Sequence, residues 1–164
     1  MTNLKEILNA LEEIFKENRF LGESGRLLGR INDSLDYICD CEVVGKSTRL
    51  ILEHGDFILK VSDDTYPDDQ NEREWELWKS TQHRLLIPIL EFESSEHFSI
   101  IREPIVDYIT DEEFEEHCLI LVEEVFFVIK ESRKGLLNRF ESEVDVPDHW
   151  GKLNGEYVCI DYGY

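Results

Sequence analysis

Residues 48–62 read TRLILEHGDFILKVS, two short runs rich in apolar residues that are joined by His54-Gly55. Runs of this length and composition on either side of a turn residue are typical of a β-hairpin. We therefore predict strands over 48–53 and 56–62. Lys60 lies inside the second strand, where a lysine must reach water or find an anionic partner. The sequence alone is equally compatible with a lysine that lies on an edge strand and faces solvent.

Helices are predicted on both sides of this hairpin. Apolar residues at three- and four-residue spacing indicate amphipathic helices over 3–19 and 24–39, and a third helix is predicted over 69–80. The longest helix begins at Thr110 or Asp111, with acidic residues in its first turn. Its apolar stripe consists of Phe114, Cys118, Leu121, Val122, Val125, Phe126 and Ile129.

Further strands are predicted over 85–93 and 97–103, and a second hairpin closes the chain. In that hairpin, strands over 150–153 and 156–162 flank Asn154-Gly155. This dipeptide is the one most typical of a two-residue hairpin turn.

Together these elements predict an α+β fold in one compact unit. Residues 1–41 are predicted to form an N-terminal helical hairpin. Residues 42–164 form the main domain, an antiparallel sheet with a packed helix, a long helix and a C-terminal β-hairpin.

Composition and charge limit the function classes. The 164-residue chain has 17 basic and 37 acidic residues, so its net charge of −20 should repel nucleic acid and anionic membranes. No apolar run is long enough to cross a bilayer, and no secretion signal is visible. Four cysteines are too few for a disulfide scaffold. We therefore expect a cytoplasmic protein with reduced cysteines and with neither a membrane nor a nucleic-acid partner.

Two carboxylates join Lys60 as candidate site residues. Glu74 lies in the predicted helix one turn before Trp78, and Asp161 follows an apolar strand, where it could bind a cation. Each also has an ordinary explanation, because Glu74 stands in a run of charges and Asp161 could simply form a turn. The order of a strand lysine, a helix glutamate and an aspartate before a glycine is, however, the layout of the protein kinases.

The surrounding sequence resembles small phage-encoded, protein-kinase-like proteins over roughly residues 45–164. Four segments carry the resemblance. The first two are the strand GDFILKV at 55–61 and the helix at 70–78, with Gln70-Asn71, Glu74 and Trp78. The other two are Leu86-Ile87-Pro88 and the tail at 150–163, with WGKLNG, Val158 and IDYG. The last of these is the most similar.

The resemblance implies roles for individual residues. If a nucleotide is bound, Lys60, Glu74 and Glu103 would bind it, and Asp161 would hold magnesium. The resemblance also predicts that Lys60 and Glu74 face each other between a central strand and the packed helix. No cofactor is required by the sequence, and ATP with Mg²⁺ is the pair that the resemblance allows.

The sequence departs from the kinase pattern at the catalytic positions. A kinase has an aspartate base in its catalytic loop and an asparagine magnesium ligand five residues later. Val144 and His149 stand at those positions here, and only Gly45 precedes the second strand, where repeated glycines are expected. We therefore predict a truncated, catalytically impaired kinase-like protein with no assigned catalytic residue, and we expect no activation segment.

Acidic residues are concentrated in two segments. Nine Asp or Glu residues lie from Glu103 to Glu124, with no Lys or Arg between Arg102 and Lys130, and 63–76 adds seven more. Four glutamates of the long helix lie off its apolar stripe and should face solvent. These are Glu112, Glu113, Glu116 and Glu123.

Solubility is the ordinary explanation of such a surface. The other is an anionic face that binds and inhibits a host protein with a basic surface, including one whose groove is built for nucleic acid. The alternative function is a minimal ATP- and Mg-dependent kinase or regulator that uses Lys60, Glu74 and Asp161.

Overall fold

The computed structural model describes residues 3–18, 41–46, 48–63, 70–132 and 144–162. The chain divides into two compact units, one of Met1–Glu72 with Leu90–Glu103 and one of Arg73–Ile89 with Pro104–Tyr164. The helix predicted over 24–39 lies outside the described residues.

The first unit contains helix α1 and a five-stranded antiparallel sheet ordered β1-β2-β3-β5-β4. The predicted first helix and first hairpin are confirmed. The elements are α1 (Leu4–Asn18), β1 (Glu42–Lys46), β2 (Leu50–His54), β3 (Phe57–Asp63), β4 (Glu91–Ser94) and β5 (Phe98–Pro104). Strand β1 was not predicted, because its register shifts between Val43 and Gly45 and the alternation of side chains is broken there.

The core of the first unit lies between α1 and one face of the sheet. Four leucine and isoleucine side chains of α1 pack against apolar residues of the strands; the buried set is Leu4, Ile7, Leu8, Leu11, Leu50, Leu52, Leu59, Val61, Phe98 and Ile100. Successive side chains of a strand point to opposite faces. Lys60, between Leu59 and Val61, therefore lies on the sheet face that α1 does not cover.

The second unit contains a three-stranded antiparallel sheet, ordered β6-β7-β8. Its strands are β6 (Asp107–Tyr108), β7 (Trp150–Leu153) and β8 (Glu156–Cys159). Asn154 and Gly155 both have positive φ, 53° and 86°, as the predicted hairpin turn requires. Strand β6 was not predicted, because two residues are too short to show a period.

The predicted strand over 85–93 is only partly correct. Strand β4 begins at Glu91, and the residues before it run beside β8 instead. Ile87 N donates to Cys159 O at 2.9 Å, and Cys159 N donates to Leu85 O at 2.7 Å. Beyond this bridge, Ile87 O accepts a side-chain hydrogen bond of 2.9 Å from Tyr162 Oη.

Helix α2 (Gln70–Thr81) confirms the helix predicted over 69–80. The predicted long helix is continuous from Asp111 to Ser132 and consists of α3 (Asp111–Glu113), a π-helical turn (Phe114–Cys118) and α4 (Leu119–Ser132). Its cap is Thr110, one of the two residues predicted for the start of this helix. The buried side chains of its stripe are Phe114, Cys118, Val125 and Ile129.

No helix within the described ranges is both long enough and apolar enough to cross a bilayer. Cys118 and Cys159 are buried and are not disulfide-bonded, as expected for reduced thiols. Cys41, in contrast, is disulfide-bonded, which corrects the expectation for that residue. Burial raises the pKa of the Cys118 thiol to about 11, so this cysteine stays protonated at neutral pH.

Candidate functional site

Lys60 is buried on β3 and forms an ion pair with Glu103 near the end of β5. The Lys60 Nζ atom lies 3.0 Å from Glu103 Oε2 and 3.1 Å from Oε1, and the two side chains are 7% and 2% exposed. Strand β3 lies between β2 and β5, so the explanation of Lys60 as a solvent-facing edge residue is wrong. The structure thus brings together two of the three residues predicted for nucleotide binding.

Asn71, in the first turn of α2 and within the first unit, forms hydrogen bonds to the strands that carry this pair. Its Nδ2 donates to Lys60 O at 2.9 Å and to Ser99 O at 3.0 Å. Its Oδ1 accepts from Arg49 Nη1 at 3.1 Å, and Asn71 is fully buried. We name Lys60, Glu103, Asn71, Arg49 and Ser99 the Lys60 cluster.

Sequence reasoning assigned no role to Asn71 or Arg49. One signal was available, because Arg49 and Lys60 are both cations within apolar strand runs, and buried charges need partners. The partners themselves carry no local signal, since Asn71 is 22 residues from Arg49 and Glu103 is 43 residues from Lys60.

Glu74 is fully buried on α2, in the residues of the second unit. Its neighbours Glu72 and Glu76 are exposed, as expected for a solvated run of charged residues. Glu74 is buried, so it is not part of such a run. The described ion pair of Lys60 is with Glu103, and the pairing of Lys60 with Glu74 stays a prediction.

Asp161 lies just after β8, beside the histidine that stands where a kinase has its asparagine. Asp161 Oδ2 is 4.0 Å from His149 Nε2, and the side chains are 20% and 21% exposed. Ile160 N donates to His149 O at 2.7 Å, which holds the two segments together. Among the described residues, no group of three or more His, Cys, Asp or Glu side chains could hold a metal ion. Magnesium binding by Asp161 therefore stays a prediction.

Val144, at the position expected for the catalytic base, is buried and serves packing. Its carbonyl accepts a hydrogen bond of 2.7 Å from Trp150 Nε1, and Trp150 is fully buried against Phe114, with ring centroids 6.3 Å apart. The next residue is a glycine because no larger side chain fits: a Cβ at position 151 would lie 2.5 Å from Cγ2 of Val106. These contacts explain the Trp-Gly dipeptide by packing.

Three of the four predicted surface glutamates are exposed, namely Glu112, Glu116 and Glu123. Glu113 is the exception, because it is half-buried and completes a capping box with Thr110. It also forms an ion pair with Lys152. The hydrogen bond from Lys152 lowers the pKa of Glu113 and raises the pKa of Lys152. The carboxylate of Glu113 therefore binds groups of its own unit, so the prediction that Glu113 belongs to the partner-binding acidic face is corrected.

Helix α4 also exposes apolar side chains that sequence reasoning did not predict. Ile120 is 80%, Phe127 61% and Leu119 49% exposed. Ile120, Glu123 and Phe127 follow one another at three- and four-residue spacing, so they share one side of the helix. We name Leu119, Ile120, Glu123 and Phe127 the α4 outer face. The available signal was the sequence LILVEEVFFVIK, which is apolar on more sides than one core can cover.

The five-stranded antiparallel sheet, the helix that follows its third strand and the closing hairpin define a kinase-like α+β fold, which confirms the predicted fold class. The protein kinase Rad53 is similar to this chain in structure, as seen in "Crystal structure of Rad53 1-466 in complex with AMP-PNP". The similarity covers 92% of this chain and 44% of that one, at 13% sequence identity and a TM-score of 0.50. The chain thus spans less than half of that structure, and the likeness shows the fold alone. No protein-family model and no curated protein matches the chain.

Proposed function

We propose that this chain is a kinase-like binding module without phosphoryl transfer, which inhibits a protein that has a basic surface. The observation that carries the proposal is the acidic side of the long helix Asp111–Ser132, where Glu112, Glu116 and Glu123 are exposed on a chain of net charge −20. A concentrated field of one sign steers a partner of the opposite sign and accelerates association.

The loss of catalysis is supported by the residues at the two catalytic positions. Val144 has no titratable group and is buried, so it cannot accept a proton from a substrate. His149 lies beside Asp161, and an imidazole is a poor ligand for magnesium, which prefers oxygen.

The resemblance to phage-encoded kinase-like proteins supports a phage or prophage origin. The target is then a host protein in the cytoplasm. A groove built for nucleic acid would match the acidic surface, because such a groove already binds a polyanion. In that case the surface acts as a nucleic-acid mimic.

Reversing the exposed charges is expected to abolish binding to the basic partner protein. The variant Glu112→Lys/Glu116→Lys/Glu123→Lys changes the acidic side while keeping Glu113, which the capping box needs. With tagged protein in host lysate, we expect capture of a basic protein to fall about tenfold or more in this variant. Capture by the unaltered chain should also fall between about 0.1 M and about 1 M salt, since the Debye length shrinks from about 10 Å to about 3 Å.

The matched control is Glu53→Lys/Asp56→Lys/Glu93→Lys, which makes the same change of charge at exposed positions of the first unit. This control should keep most of the capture. Capture that is indifferent both to salt and to the α3–α4 reversal would contradict the proposal and leave the net charge as a solubility feature.

Nucleotide binding is the second candidate function, favoured by the buried lysine on β3. The Rad53 structure with the similar fold holds AMP-PNP. If this chain binds ATP and Mg²⁺ through Lys60, Glu74, Glu103 and Asp161, saturating Mg·ATP should raise its melting temperature, because a ligand of the native state stabilises it.

Asp161→Asn is the informative variant for that candidate, because Asp161 lies partly at the surface and the change keeps its size. We expect it to abolish the Mg-dependent part of the shift. An unchanged melting temperature together with no retention of labelled ATP in equilibrium dialysis would reject nucleotide binding.

A further inference from the structure

The α4 outer face combines apolar and acidic side chains in a regular order. Ile120 and Phe127 lie seven residues apart, about 10.5 Å along the helix, and Glu123 lies between them. Seven residues is also the repeat with which one helix packs its apolar side chains against another. Large apolar side chains at 80% and 61% exposure, two turns apart on one side, mark a surface that can bind a helix.

We infer that the α4 outer face binds an amphipathic helix of the partner protein, one that presents leucine-like anchors flanked by lysine or arginine. This inference rests on the proposed function and specifies the part of the partner that is bound, a basic amphipathic helix. The anchors would cover Ile120 and Phe127, and the cations would meet Glu116 and Glu123, both of which are exposed.

The charges beside this face favour a basic partner over a second copy of the chain. Glu116 is 76% exposed beside the face, and Glu123 lies at its centre. Two copies that paired antiparallel through this face would place Glu123 against Glu123 in a chain that already has a net charge of −20. A basic helix meets no such repulsion.

One neighbouring carboxylate is already used within the unit, which narrows where the cations can bind. Glu124 accepts two hydrogen bonds from Arg84 Nη2, at 3.0 and 3.1 Å, and lies 3.5 Å from His83 Nε2. The cations of the partner would therefore meet the side of the long helix that carries Glu116 and Glu123, and not the side that carries Glu124.

Peptide probes test the inference directly. The first probe is a helical peptide of about 18 residues, five turns, with leucines on one side and lysines on the other. The second is a lysine–glycine peptide of equal charge without leucine. By fluorescence anisotropy, we expect the purified full chain to bind the first peptide about tenfold or more tightly than the second.

The variant Ile120→Ser/Phe127→Ser should reduce the affinity for the leucine–lysine peptide about tenfold, to that of the lysine–glycine peptide, and leave the latter unchanged. Both side chains are exposed, so the fold should persist, as circular dichroism can verify. Tyr108→Ser is the matched control, because Tyr108 is 76% exposed in the same unit but lies outside α4, and it should change neither affinity.

The outcomes separate this inference from the proposed function. Unchanged affinity for the leucine–lysine peptide in the Ile120→Ser/Phe127→Ser variant overturns the inference, and the proposed function stands if the Glu112/Glu116/Glu123 reversal still removes binding. If the Glu112/Glu116/Glu123 reversal also leaves the peptide affinity unchanged, the result contradicts both the inference and the proposed function. A dimer of the unaltered chain in sedimentation that becomes a monomer with Ile120→Ser/Phe127→Ser would assign the face to self-association and overturn the inference.

Discussion

Replacing Lys60 by methionine is expected to lower the free energy of unfolding by about 3–5 kcal/mol. The ammonium and the Glu103 carboxylate are both buried, 3.0 Å apart, and the change leaves the carboxylate in the sheet without this cation. A buried charge that has lost its partner is strongly destabilising. Urea unfolding followed by tryptophan fluorescence measures the loss.

The double variant Lys60→Met/Glu103→Met separates the loss of the pair from the loss of one partner. Apolar residues of similar size often replace a buried ion pair at little cost, so the double variant should recover most of the stability. Lys5→Met is the control for a lysine, because Lys5 is exposed on α1, and it should stay within about 0.5 kcal/mol of the parent. A Lys60→Met variant as stable as Lys5→Met would contradict the ion pair.

The same pair bears on the choice between the two candidate functions. A nucleotide phosphate that bound the Lys60 ammonium would have to share it with Glu103, which already lies 3.0 and 3.1 Å away with both of its oxygens. Such sharing weakens the affinity for phosphate, because part of the charge on the lysine is already neutralised. At the exposed glutamates the competition is weaker. Among the described residues no ion pair involves Glu112 or Glu123, and Glu116, 76% exposed, lies 3.7 Å from His117 Nε2, which favours partner binding.

Local signals were enough to predict most of the fold. The turn residues Gly55 and Asn154-Gly155 determined both hairpins, and Thr110 with the acidic first turn determined the start of the long helix. The segment 85–89 could not be assigned in this way, because its partner Cys159 is about seventy residues later in the chain. An apolar run indicates that a segment is buried but not which strand it pairs with.

The surface residues show the same division between local and long-range information. Glu113 could have been recognised as a cap, since Thr110 and Glu113 have the spacing of a capping box. Its second partner, Lys152, is 39 residues away and has no local signal. The exposure of Ile120 and Phe127 was equally hidden, because periodicity tells which side of a helix is more apolar and not how much of it other residues cover.

Asn71 offers the second large effect, since one amide group serves three partners in the Lys60 cluster. Asn71→Leu removes the donor to Lys60 O and Ser99 O and the acceptor for Arg49. Each buried polar group that loses its partner costs about 1–3 kcal/mol, so we expect a loss of about 3 kcal/mol or more in urea unfolding. Asn71→Asp should destabilise as much, because it keeps an acceptor for Arg49 but turns a carboxylate toward two carbonyl oxygens.

The adjacent residue provides the control for Asn71. Gln70 is half-buried and accepts one described hydrogen bond, of 2.9 Å from Thr48 Oγ1, so Gln70→Leu should cost only about 1 kcal/mol. If Asn71→Leu and Gln70→Leu are equally stable, the hydrogen bonds of Asn71 do not hold residues 70–72 to the strands of the first unit. A large difference between them would mean that the Lys60 cluster depends on this one amide, a dependence that the sequence around Asn71 does not show.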